Sequence, residues 1–160
     1  RIASIIPSNV QLVQEFLANQ KPVIAFKDAH TLDAQEFEFY PVHCLAGSHE
    51  SELVDELKVY QTEMLVIPKN TTNGFFTPEF QNFIQEHGDL EEVTICGCCT
   101  DICVFQFSQT LKTYTQTNNR PMTLKIYEDT VDTYHSRFHD HDTFQKAGLD
   151  LLRASGIQII

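Results

Sequence analysis

Positive charge is scarce in this chain. Its 160 residues carry 11 Lys and Arg against 22 Asp and Glu, a formal net charge of −11, and the pI is near 4.9. So acidic a surface argues against nucleic acid or an anionic membrane as partner. No apolar run approaches the length of a membrane span, and no charged-then-apolar signal segment opens the chain. The dispersed, even cysteine set of a disulfide-stapled secreted domain is also missing. There are five cysteines, clustered rather than spread, which implies a reducing, cytoplasmic compartment. Paired C-x-x-C knuckles, internal repeats and low-complexity segments are absent as well. The chain lacks an initiator methionine at Arg1, so either the start is processed or residues lie upstream.

What is present reads as one domain over residues 1–160, with enough apolar content for a buried core. Ser8 or Asn9 is expected to cap a helix bearing Val10, Leu12, Val13, Phe16 and Leu17. Strands are predicted at Pro22–Phe26, Met64–Ile67, up to Cys96, Met122–Tyr127 and Ile157–Ile160. Helices are predicted at Ser51–Leu57, from Pro78 to about Gly88, from Thr100 through Leu111, and from about Asp140 to Ala154. Ala29–Gly47 and Pro68–Thr77 read as loops, the first long enough to suggest function. Strands alternating with helices predict an α/β fold with a parallel sheet covered on both faces. Such sheets usually open on a strand, whereas this chain opens on a helix; a first strand is expected to be missing.

In parallel α/β sheets ligands bind beyond the carboxyl ends of the strands. Asp28 and His30 follow the first visible strand, Lys69 the second, the cysteine cluster the third and Asp129 the fourth, so these groups are expected at one edge. Asp28, His30 and His43 offer a carboxylate and two imidazoles, the donor set of an open metal site. Glu36 would add an oxygen directly or through water. Spacing alone equally allows Asp28 to cap the loop and the histidines to sit on the surface. The same three donors occur in non-haem iron oxygenases, but nothing here reads as their all-β barrel.

Four of the five cysteines, Cys96, Cys98, Cys99 and Cys103, fall within eight residues. Cys103 would occupy the first turn of a helix, where the positive end of the helix dipole favours the thiolate. Cys96 and Cys98 read better as small core residues, and Cys44 as packing rather than a ligand. A non-enzymatic metal or redox module built on the cluster is the distant rival, and it gives Lys69 no role. His135, His139, Asp140 and His141 read as a solvated helix start, with Asp140 near its positive end.

Asp28-Ala-His30, Glu36-Phe37, Pro41-Val-His43-Cys44-Leu-Ala-Gly47-Ser48, Lys69 and Gly97-Cys-Cys-Thr-Asp-Ile-Cys103-Val104 together resemble the nicotinamidase branch of the isochorismatase-like cysteine hydrolases. The resemblance runs along nearly the whole chain, and Asp-x-His…His-Cys is its discriminating part. It implies a three-layer α/β/α, Rossmann-like fold and a metal-dependent amidohydrolase that converts nicotinamide to nicotinate and ammonia in NAD salvage. By the resemblance Cys103 is the nucleophile and Lys69 the basic member of an Asp–Lys–Cys triad. Its aspartate, on the family's first strand, has no counterpart in this sequence. A cis peptide before the nucleophile maps onto Cys98-Cys99, and the backbone N–H groups of Cys99 and Cys103 form the oxyanion hole. Asp28, His30 and His43 hold one divalent ion, with Glu36 as a further partner. Zinc is the first choice for that ion, manganese and iron being compatible with the set. Phe75 is the aromatic that packs on the substrate ring, and the protein is expected as a homo-oligomer acting on a small molecule. One departure points to another small carboxamide as substrate: many nicotinamidases have an aromatic three residues after the lysine, and here it is Thr72.

Overall fold

The computed structural model describes residues 2–160. They gather into two compact units, residues 10–82 and residues 2–9 with 83–160. The parallel α/β expectation holds, since every strand pairing is parallel.

In the unit of residues 10–82, strand β1 (Ile24–Asp28) pairs with β2 (Leu65–Lys69) in full register, from Ile24 opposite Leu65 to Asp28 opposite Lys69. Each strand lies two residues beyond the end of its predicted run, because the ladder continues into Lys27-Asp28 and Pro68-Lys69. Both strands therefore end on a charged residue, side by side. The long connection that parallel strands require holds little regular structure. One 3-10 turn forms at Gln35–Glu38 and one at His49–Ser51, followed by a single helical turn, α2 (Asp55–Lys58). The longer helix expected over Ser51–Leu57 does not form; Leu53 and Val54 precede α2. A 3-10 turn at Gly74–Phe76 leads into α3 (Pro78–Glu86), with Pro78 at its first position as predicted. Gly74 is required by a close approach: a Cβ there would fall 2.5 Å from a ring carbon of Phe26. The ring of Phe80 packs 5.6 Å from those of Phe26 and Phe75.

Helix α1 (Ile6–Ala18) starts before Ser8 and Asn9, so neither is its cap. Ser8 instead donates to Asp129 Oδ2 at 2.8 Å. Asp129 is thereby tied to the chain start, in a 3-10 turn at Glu128–Thr130, rather than left for a ligand.

In the second unit, β3 (Glu92–Thr94), β5 (Thr123–Ile126) and β7 (Gln158–Ile159) form a ladder in the order β3-β5-β7, while β4 (Gly97–Cys98) pairs with β6 (Val131–Asp132). Helices α4 (Phe105–Thr117) and α5 (His141–Ala154) accompany them. Leu111, Leu124, Ile126 and Leu152 are at most 1% exposed and form the centre of the core. Asp140 caps α5, accepting from the backbone N–H of Thr143 at 3.0 Å and its hydroxyl at 2.7 Å. Those bonds hold its carboxyl below the usual range.

Candidate active site

In the unit of residues 10–82, the paired ends of β1 and β2 place Asp28 beside Lys69. Lys69, 6% exposed, donates from Nζ to Asp28 Oδ1 and to the carbonyl of Thr71 at 3.0 Å. The amide of Ala29 continues the ladder, donating to the Lys69 carbonyl at 2.9 Å. Beyond it, the His30 amide donates to the Cys44 carbonyl and the Ala46 amide to the His30 carbonyl, at 3.0 and 2.9 Å. This short bridge folds the loop back on itself and brings His43 to within 4.8 Å of His30, ring centre to ring centre. Phe37 lies edge-on to both imidazoles, and Asn70 ties the second loop to Thr31 through two hydrogen bonds.

Three donor atoms of Asp28, His30 and His43 lie within 4.8 Å of one another. His30 is 1% exposed, yet neither of its ring nitrogens has a hydrogen-bond partner. A buried imidazole left unbonded is costly, and a metal ion would meet that need. Glu36 Oε1 stands 3.2 Å from His30 Nε2 and 3.6 Å from His43 Nε2, while its buried Oε2 has no hydrogen-bond partner. His43 Nδ1 donates to the Pro41 carbonyl at 2.8 Å, which leaves the Nε2 lone pair for coordination. This donor set fits a divalent ion held in an N/O site. Cys44 is not part of it. Its backbone N–H and thiol are occupied by Glu50, and burial, followed by the charges of Asp28 and Glu50, pushes the thiol pKa up.

The cysteine cluster belongs to the unit of residues 2–9 and 83–160. Gly97 adopts φ +110°, a conformation that favours glycine, and the Cys98-Cys99 peptide is cis, at the bond onto which the family resemblance maps it. The chain then winds through one turn of π-helix, Thr100–Val104, before α4 begins at Phe105. Cys103 therefore lies not in the first α-helical turn but in a wider turn just ahead of it, closed by the Val104 amide donating to the Cys99 carbonyl at 3.1 Å. Such turns are rare and collect at functional sites. None of the five cysteines is in a disulfide, and Cys103 is half-buried. The Cys99 thiol pKa is pushed up, first by its hydrogen bond with Cys98 and then by burial.

Two expectations fail here. Cys96 and Cys98 are exposed rather than packed in the core, Cys98 even though it lies in β4 opposite Asp132 of β6. The histidines around Asp140 are not a uniformly solvated helix start. His135 is exposed, but His139 is 8% exposed and hydrogen-bonds Asp101, while His141 Nε2 lies 2.5 Å from buried Asp132. Sequence reasoning missed Asp101, Thr133 and Asp132 as polar groups of this region. Phe75, expected against the substrate, is 6% exposed and packs on Phe76 and Phe80.

A family model for the isochorismatase domain matches residues 1–157. The chain belongs to the isochorismatase family. Among curated relatives, Nicotinamidase 1 of Arabidopsis thaliana is 34% identical over 119 residues, covering 69% of this chain and 48% of that protein. The chain thus spans about half the length of the curated relative it matches. Among solved structures, the nicotinamidase of Bacillus subtilis aligns at a TM-score of 0.82 and 21% identity, covering 98% of this chain and 84% of the other. A pyrazinamidase of Pyrococcus horikoshii, solved in complex with zinc, aligns at 0.76 and 18% identity, covering 99% and 86%. These likenesses establish the isochorismatase-like α/β fold. No helix among the described residues is long and apolar enough to cross a membrane.

Proposed function

We propose that this family member is a metal-dependent amidohydrolase that converts nicotinamide to nicotinate and ammonia, a step of NAD salvage. The observation that carries the reading is the buried, unbonded His30 gathered with Asp28 and His43, the feature that separates the nicotinamidase branch from metal-free relatives. Asp28, His30 and His43 would hold the ion, with Glu36 beside it, and zinc is the metal we assign. When bound, the ion supplies Lewis-acid character and an open coordination position suited to a pyridine nitrogen.

Cys103 is the nucleophile of this mechanism. Its thiolate attacks the carboxamide carbon, the amide nitrogen takes up one proton and leaves as ammonia, and water hydrolyses the resulting thioester to nicotinate, returning the thiol. Lys69 supplies the positive charge that favours the thiolate. The backbone N–H groups of Cys99 and Cys103 donate to the oxyanion, each such donor being worth about 3 to 4 kcal/mol in the transition state. Phe75 flanks the substrate ring. The working form is an assembly of identical subunits.

Thr72 favours a second reading, hydrolysis of another small carboxamide by the same residues. Ammonia release from a panel of carboxamides, before and after metal stripping, separates the two. Release from nicotinamide that stops on chelation and returns with zinc supports the proposal. Inactivity toward nicotinamide in metal-replete protein refutes the substrate assignment, and cleavage of another amide selects the second reading.

A further inference from the structure

We infer that His139 is a positioning residue that holds the turn bearing Cys103, acting through Asp101. The inference rests on Cys103 being the nucleophile. Asp101 lies two residues before Cys103 in the π-helical turn, and both its carboxylate oxygens are engaged. Oδ1 accepts from Thr133 Oγ at 2.5 Å, and Oδ2 accepts from His139 Nε2 at 2.7 Å. The two side chains of the ion pair are 11% and 9% exposed, and Thr133 is fully buried. An interaction so shielded is much stronger than its solvent-exposed equivalent.

The imidazole is itself fixed on every side. Its Nδ1 donates to the Tyr134 carbonyl at 3.0 Å, so both ring nitrogens face oxygen acceptors and the ring cannot turn without losing both bonds. Tyr134 stacks on one side with centroids 4.0 Å apart and planes at 10°, and Phe144 stacks at 4.0 Å and 17°. The electron-rich ring faces suit an imidazole that donates from both nitrogens. The backbone of His139 is clamped too, by reciprocal bonds with Ser136 at 2.9 and 3.2 Å.

From α5, Gly148 presses directly on the turn: a Cβ there would lie 3.2 Å from Asp101 Cα and 3.3 Å from Thr100 Cγ2. The turn is thus hooked by Thr133 and His139 and backed by α5. A π-helical turn lacks the regular hydrogen-bond ladder of an α-helix, so external hooks set where Cys103 stands. A merely solvated helix start would require none of these contacts.

The test compares wild type with His139→Gln and His139→Ala. Four quantities are read: kcat and KM on nicotinamide, iodoacetamide alkylation of Cys103 followed by peptide mass, and the downfield ring N–H proton of the His139–Asp101 bond. The expected result is loss of that proton, kcat lower by about 10- to 100-fold with KM within about twofold, and slower Cys103 alkylation. Wild-type kcat and alkylation in a folded variant lacking the proton would overturn the inference. So would a kcat loss that merely tracks the unfolded fraction. Should the alanine variant not fold, His139→Gln and Thr133→Val carry the same comparison. Alkylation needs no substrate, so it decides the role of His139 even if wild type fails on nicotinamide, a failure that refutes only the substrate assignment.

Discussion

Replacing Gly148 with alanine sets two effects of known size against each other. Alanine is favoured over glycine within a helix by about 1 kcal/mol, and Gly148 lies well inside α5. The new methyl group would meet Asp101 Cα at 3.2 Å and Asp101 Cβ and Thr100 Cγ2 at 3.3 Å. Carbon atoms rest comfortably at about 3.5 to 4.0 Å, so helix and turn must separate by roughly 0.3 to 0.8 Å. Overpacking of this kind costs about 1 to 3 kcal/mol, which leaves a net loss of about 0 to 2 kcal/mol. Activity should suffer more than stability. A misplacement of 1 Å can cost on the order of 100-fold in rate, and half that displacement of the Cys103 turn implies roughly a tenfold fall in kcat. Urea denaturation and steady-state kinetics on the same preparation measure both. A Gly148→Ala protein stabilised by the full helix-propensity gain, with wild-type kcat, would refute the claim that α5 fixes the turn.

Cys103→Ala should lower turnover by roughly 10⁴-fold or more while leaving metal content unchanged by elemental analysis; retained turnover removes the nucleophile assignment. His43→Ala should weaken zinc binding at least about tenfold without unfolding the protein, and unchanged zinc affinity would place the metal elsewhere. Asp140→Asn tests a titration. The folded Asp140 carboxyl is held below its ordinary value by the Thr143 hydroxyl and amide, so its contribution to stability is present at neutral pH. That contribution is lost as pH falls below about 4 and through the depressed folded value. The difference in urea midpoint between wild type and variant should therefore shrink in acid. A pH-independent difference counts against the carboxylate cap.

Much of the Asp28–His30–His43 cluster was legible because its signals are local in the chain. Asp28 and Lys69 each end a short apolar run, and His30 lies two residues beyond Asp28, so strand prediction alone puts them near the ladder's carboxyl end. The unbonded state of His30 was not legible, since burial depends on how the loop to Leu45 closes. On the cysteine side, spacing identified the turn but not its winding. Thr100–Val104 is held by neighbours more than 28 positions away, Thr133, His139 and Gly148, which no local period announces. The histidines near Asp140 misled for a related reason. Sequence places them at a helix start, and only the fold shows which of them turn inward. The exposed Cys96 and Cys98 show the converse error, in which a small apolar residue was assigned to a core that does not reach it.

Asp28 stands at a crossing of two demands. Its Oδ1 accepts from Lys69, and the same carboxylate completes the donor set of His30 and His43. With the proposed ion bound, one anion would serve two cations, and whatever the dication drew from it would be withdrawn from the lysine. By reciprocity the coupling runs in both directions: neutralising Lys69 should tighten metal binding, and loading the metal should loosen the lysine's tether. A substitution at Asp28 therefore perturbs two systems at once, whereas His43 reports on the metal alone.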